Sequence, residues 1–169
     1  TLEADVTVSG GLSGFSHYDQ LRLKLEELPE VQAAAAVIQT YGLITLGDQH
    51  IIAVKILGID GPQYDRVMQY RSSLYWTPQR REGKFSELDL TEAGMTFDTP
   101  PAWGQRPGIV LGIAISPTNR RNNEGQYDFQ NSIVATSLTL NAMDISRGSP
   151  RPVAKQVIVV NESKSGIYE

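Results

Sequence analysis

Val31 to Asp60, VQAAAAVIQTYGLITLGDQHIIAVKILGID, contains two long apolar runs, Val31 to Ile44 and Ile51 to Ile59. Both are rich in Val, Ile and Tyr, and Gly47, Asp48, Gln49 and His50 supply turn chemistry between them, so the stretch predicts a β-hairpin. The alanines Ala33 to Ala36 suit a helix by propensity. Leu28-Pro29 just before them breaks any helix arriving from upstream, so the strand reading prevails. Small side chains on a strand then predict close approach by another layer.

Working outward, Asp5 to Val8 alternates weakly and predicts a short strand, punctuated by Gly10, Gly11 and Gly14. Ser16 is the expected N-cap of a helix in which Asp19 serves as a capping acid and Leu21, Leu25 and Leu28 recur at helical spacing until Pro29. Strand, helix and hairpin together predict an αβ unit with the helix lying on one sheet face. Beyond the hairpin, Asp60-Gly61-Pro62 starts a turn or helix, and Tyr64, Val67, Met68 and Arg71 continue it as a short amphipathic helix.

From Ser72 to Pro107 periodicity is lost among Trp76, Pro78, Pro100, Pro101, Trp103 and Pro107, which reads as an ordered connector. Leu88, Leu90 and Met95 are its expected anchors, and Gln79 to Lys84 an exposed tip. Tyr75, Trp76 and Trp103 suit local packing better than an aromatic contact surface. Strand signals return at Ile109 to Ile115, Ser132 to Leu140 and Val153 to Val160. Pro117 to Gln130 between them is polar and reads as a mobile loop. Asn141 to Pro152 reads as a long hairpin tip carrying Met143, Ile145, Arg147 and Arg151, the candidate partner-binding residues.

Composition narrows the functional classes. The 169 residues allow one domain or two small lobes. A net charge of -4 and a pI near 5.2 leave no basic stripe for nucleic acid. The absence of cysteine removes disulfides, thiolate metal sites and cysteine nucleophiles. No apolar run reaches the roughly 18 residues of a membrane span. Without an initiator methionine, Thr1 reads as a processing boundary.

Motif by motif, no catalytic, cofactor or metal site emerges. His17 and His50 lack metal-ligand spacing. Ser9-Gly10-Gly11-Leu12-Ser13-Gly14 lacks the nucleophile-elbow pattern, the dinucleotide fingerprint and the lysine of a phosphate loop. Glu26-Glu27 and Asp89 read as solvated surface. Asn161-Glu162-Ser163 matches the glycosylation triplet, a pattern short enough to arise by chance.

Three ordered segments resemble the extracytoplasmic domain of MacB-type ABC transporter permeases, the group that includes lipoprotein-releasing permeases and FtsX-like proteins. Leu28-Pro29-Glu30-Val31 with Ala34 to Ala36 is similar to that family's strand entry, and Ile56-Leu57-Gly58-Ile59-Asp60 to the end of its hairpin. Gly108 to Gly112, with Val157 to Val160 and Gly166 to Glu169, is similar to its later strands. The chain departs from the pattern at Pro117 to Gln130, where the family has a leucine-bearing helix, at Ala36, where many members have proline, and at Gly61, which intervenes before Pro62.

The resemblance implies an α+β fold divided into a membrane-near αβ lobe, residues 1–71, and a connector with a β-rich outer lobe, residues 72–169. It further implies a fragment of a larger permease on the periplasmic side of a bacterial inner membrane, in which the membrane-near lobe lacks a return segment beyond Glu169. The implied role is non-enzymatic, coupling a separate cytoplasmic ATPase to export or lipoprotein release, with a dimer of permeases and a periplasmic carrier or adaptor as partners. Two alternatives stay open: a soluble adaptor module, and an enzyme using scattered carboxylates such as Asp60, Asp65 and Asp128.

Overall fold

Val37–Leu46 (β1) and His50–Ile59 (β2) form the hairpin, paired antiparallel from Val37↔Ile59 to Leu46↔His50. In this computed structural model the described residues are 6–11, 14–47, 50–80, 87–116, 119–124, 127–128, 131–144 and 151–164. β1 starts at Val37 rather than Val31. The Ala34 N–H donates to Glu26 Oε1 at 3.2 Å, a contact that ties the alanine segment to the preceding helix instead of a neighbouring strand.

That helix, α1 (Tyr18–Glu26), is entered through His17 rather than Ser16; His17 adopts a left-handed conformation (φ 62°) and makes no side-chain cap. None of the nine residues of α1 is buried, so it is not the layer that covers the sheet. Glu26 attaches it through Arg66 at 3.1 Å and pairs within the helix with Arg22 at 2.8 Å. Val6 to Ser9 forms no strand, and Val6 and Val8 are exposed.

The expected helix after the hairpin is two helices, α2 (Gly61–Met68) and α3 (Tyr70–Ser73), broken at Gln69, which is left-handed at φ 52°. Asp60 caps α2, accepting the Gln63 N–H at 2.9 Å. The connector holds a further helix, α4 (Leu90–Thr96), capped by Asp89 through the Glu92 N–H at 3.0 Å. Leu90 and Met95 are buried anchors, as the sequence predicts.

Gly108–Gly112 (β3) is followed by a 3-10 turn, Ile113–Ile115, and by a two-residue pair, Arg120–Arg121 (β4) with Tyr127–Asp128 (β5). Asn119, buried, fastens this excursion by bonding Ile113 and Asn131 backbone groups. Ser137–Asp144 (β6) and Arg151–Ser163 (β7) close the fold.

The principal sheet is mixed, in the order β2-β1-β6-β7-β3, so the fold is α+β. Among the described strands only the β3–β7 pair is parallel. β1 meets β6 from Gly42↔Ala142 to Thr45↔Thr139, so one sheet takes strands from both sides of residue 71.

Parity along the strands assigns the layers. Ile44, Leu138, Val157 and Val159 face a core completed by Trp76, Leu90, Leu111 and Val134. Behind β7, Ile158 and Val160 pack with Ala93 of α4. A third cluster, Tyr70, Leu74 and Met95, joins α3 to α4. Coverage on both faces explains the unbroken apolar run Val157 to Val160.

Gly61 tests this packing. It is the first residue of α2, where alanine has the better helix propensity. A Cβ there would stand 1.9 Å from the Met95 carbonyl oxygen. Gly61→Ala is therefore expected to destabilise the fold by about 1–3 kcal/mol, as overpacking does. An unchanged or raised urea midpoint would refute the close approach of α2 and α4.

Candidate interaction surface

A β6–β7 hairpin forms, but Asn141 to Asp144 and Arg151 to Pro152, expected in its tip, are paired strand, with Met143 opposite Pro152 and Asp144 opposite Arg151. Met143 is 50% exposed and Arg151 is exposed. Ile145 and Arg147, the other two candidates, lie outside the described residues.

Met143 belongs to a larger surface that the sequence reading missed. Opposite the core, the alternate positions of β1 are Val37, Gln39, Tyr41, Leu43 and Thr45, and those of β2 are Ile51, Ala53, Lys55, Leu57 and Ile59. The Gly42↔Ala142 pair carries Tyr41 and Met143 outward in the same direction on neighbouring strands. Tyr41 is 68% exposed, Ile51 66%, and Leu43, Leu57 and Val37 are exposed as well. Among the described residues, α4 covers this side of the sheet behind β7 and β3, and the α3–α4 cluster covers the end of β2 at Ile59. Over the rest of β1, β2 and β6 no described element covers the face, and its exposed apolar side chains form a patch of the kind that marks contact sites.

The alternation that could have revealed it is in the sequence: Tyr41-x-Leu43, Ile51-x-Ala53 and Leu57 are apolar on one side, interrupted by Lys55, while Ile44, Ile52 and Val54 are apolar on the other. Two-sided apolar strands predict two covering layers. Only one is present over the hairpin among the described residues.

Asp60 caps α2, and Asp65 accepts the Arg71 N–H at 2.6 Å. Asp65 lines a shallow depression of about 330 Å³ with Gln69, Arg71 and Ser72; Asp60 does not. The side chain of Asp128 lies outside the described features. His17 precedes α1 and His50 begins β2, and among the described residues no group of three His, Asp or Glu is placed to hold a metal. No described helix is long and apolar enough to cross a membrane.

Asn161 and Glu162 are fully buried, at 0% exposure, in β7. Asn161 Nδ2 donates to the Trp76 carbonyl at 3.0 Å and the Leu90 carbonyl at 2.6 Å, while its Oδ1 accepts the Trp76 N–H at 3.1 Å. With its amide hydrogens committed in the core, Asn161 is no glycan acceptor in the folded chain. Glu162 Oε2 accepts the Trp76 indole N–H at 2.8 Å and the Ser132 hydroxyl at 3.2 Å. Trp76 thus sits in the principal core rather than at a contact surface, and Tyr75 and Trp103 pack against that core.

No protein-family model matches the chain, and no curated protein matches its sequence.

Burial holds the Glu162 carboxyl above its ordinary value of 4.5, and hydrogen bonds from Trp76, Ser132 and the Ile133 backbone offset part of that rise. Above about pH 4.5 the folded chain therefore retains a proton that the unfolded chain releases, so this group's contribution to stability falls as pH rises from 4.5 through the folded value. Glu162→Gln keeps an acceptor for Trp76 and Ser132 and does not titrate. Urea midpoints measured across that window should decline less in the variant than in the parent; parallel declines would remove Glu162 as their source.

Proposed function

We propose that this chain is the extracytoplasmic domain of a MacB-type ABC permease, acting on the periplasmic side of a bacterial inner membrane. In this reading it performs no chemistry of its own. It transmits movement driven by a cytoplasmic ATPase to a carrier or adaptor protein, for export or lipoprotein release, within a dimer of permeases.

The observation that carries the reading is the open apolar face of β1, β2 and β6, continuous with the β6–β7 hairpin. A surface of Tyr41, Leu43, Ile51, Leu57 and Met143 is costly to leave in water and has the composition of a protein contact. The segments that carry the resemblance lie at or beside regular elements: Leu28 to Val31 precedes β1, Ile56 to Asp60 closes β2 and caps α2, Gly108 to Gly112 is β3, and Val157 to Val160 lies in β7. Gly166 to Glu169 lies outside the described residues.

The parent reading frame provides the test. An apolar helix encoded just before Thr1 and three more beyond Glu169 are expected. A parent without membrane helices would sink the permease assignment and leave a soluble adaptor module using the same face.

A further inference from the structure

The open face carries a single charge. Across its positions on β1, β2, β6 and β7, from Val37 and Ile51 to Thr139, Asn141, Met143, Pro152, Ala154 and Gln156, the one ionisable cation is Lys55, and no Asp or Glu is present. Lys55 is exposed, beside Tyr41 in the β1–β2 register. We propose that this face docks an amphipathic helix of a partner protein, with a carboxylate on the flank that overhangs Lys55. The proposal rests on the face being a contact surface and not on the permease assignment.

Dimensions favour a helix. Neighbouring strands are about 4.8 Å apart, so β2, β1 and β6 present a strip about 10 Å between its outer strands, the width of one α-helix of about 10–12 Å. An apolar stripe centred on Tyr41 and Leu43 of β1 would reach Ile51 and Leu57 on β2 and Met143 on β6. This is the layer that α4 supplies behind β7, extended to the uncovered half of the same sheet.

Charge selects the partner. Lys55 is on the edge strand, so its ammonium reaches the rim of any covering helix, where an acid would pair with it and a base would be repelled. A second copy of this chain offers the same face, which has no carboxylate, so each Lys55 would meet apolar surface unpaired. An anionic lipid surface is attracted by clusters of cations, whereas this face has one and the chain carries a net charge of -4.

The test immobilises the full chain and selects from a displayed library of helical peptides with a fixed apolar stripe and randomised flanking positions. Acidic residues should be enriched on one flank. Lys55→Glu should switch that flank to Lys and Arg, and Tyr41→Ser with Leu43→Ser should lower binding at least about tenfold, as expected for central contact residues. These side chains are exposed, so the variants should keep the parent's thermal transition, which is measured alongside.

A flank preference that is neutral, or unchanged by Lys55→Glu, overturns the proposal; if binding still needs Tyr41 and Leu43, the face remains a contact surface. Enrichment no greater than from a library with a scrambled stripe overturns both. Sedimentation showing self-association that Leu43→Asp disperses would assign the face to a second copy. Cosedimentation with phosphatidylglycerol vesicles that Lys55→Glu abolishes would assign it to lipid.

Discussion

The Asn161 side chain joins three parts of the chain that are distant in sequence: β7, the backbone at Trp76 and the first residue of α4, Leu90. A buried amide costs stability unless its donors and acceptor are satisfied, and here they are. The adjacent residue extends the seam, with the Glu162 carbonyl accepting the Tyr75 N–H at 2.7 Å and its carboxylate holding the Trp76 indole. Lys164 continues it by donating to the Ser73 carbonyl at 2.8 Å. Residues 73–76 therefore run along the end of β7 almost as an added strand, with Leu74 bridged to Ser163.

That seam turns an aperiodic connector into a wall of the core. Trp76 shares the principal core with Ile44, Leu138 and Val157, and α4 lies behind β7. Gly94 faces the seam: an added Cβ would be 3.0 Å from both Asn161 Cβ and Leu74 Cδ1, so the helix lies as near to the strand as a side chain would allow. The result is a sheet supported on both faces at β7 and on one face at β1 and β2.

Periodicity made the hairpin legible, because Val37 to Leu46 and His50 to Ile59 are long, β-branched and separated by turn residues. The β6–β7 hairpin was legible for the same reason. α4 was not: at seven residues it is too short to show a helical repeat, and its apolar positions Leu90, Ala93 and Met95 serve different clusters. Asn161-Glu162-Ser163 was opaque for another reason. A polar triplet after an apolar run reads locally as the end of a strand, and only partners 30 to 86 residues away make burial tolerable. Met143 was identified as a contact residue, but on a tip; the sheet face it shares with Tyr41 depends on the β1–β6 register, which no local pattern encodes.

The distribution of support explains why the contact surface lies where it does. A face covered by α4 and sealed by Asn161 and Glu162 has no side chains to spare for a partner. β1 and β2 are held from below by Ile44, Ile52 and Val54, which is sufficient to fix their backbone and leaves their outer side chains free. Tyr41, Leu43 and Ile51 are thus displayed on a rigid sheet rather than on a loop, so little ordering cost remains when a partner arrives. Their apolar surface would equally favour aggregation along the β2 edge, and Lys55 in the middle of that strand opposes strand-to-strand pairing with another copy. One residue accordingly serves two ends: it discourages the wrong association and marks the charge that the right one must match.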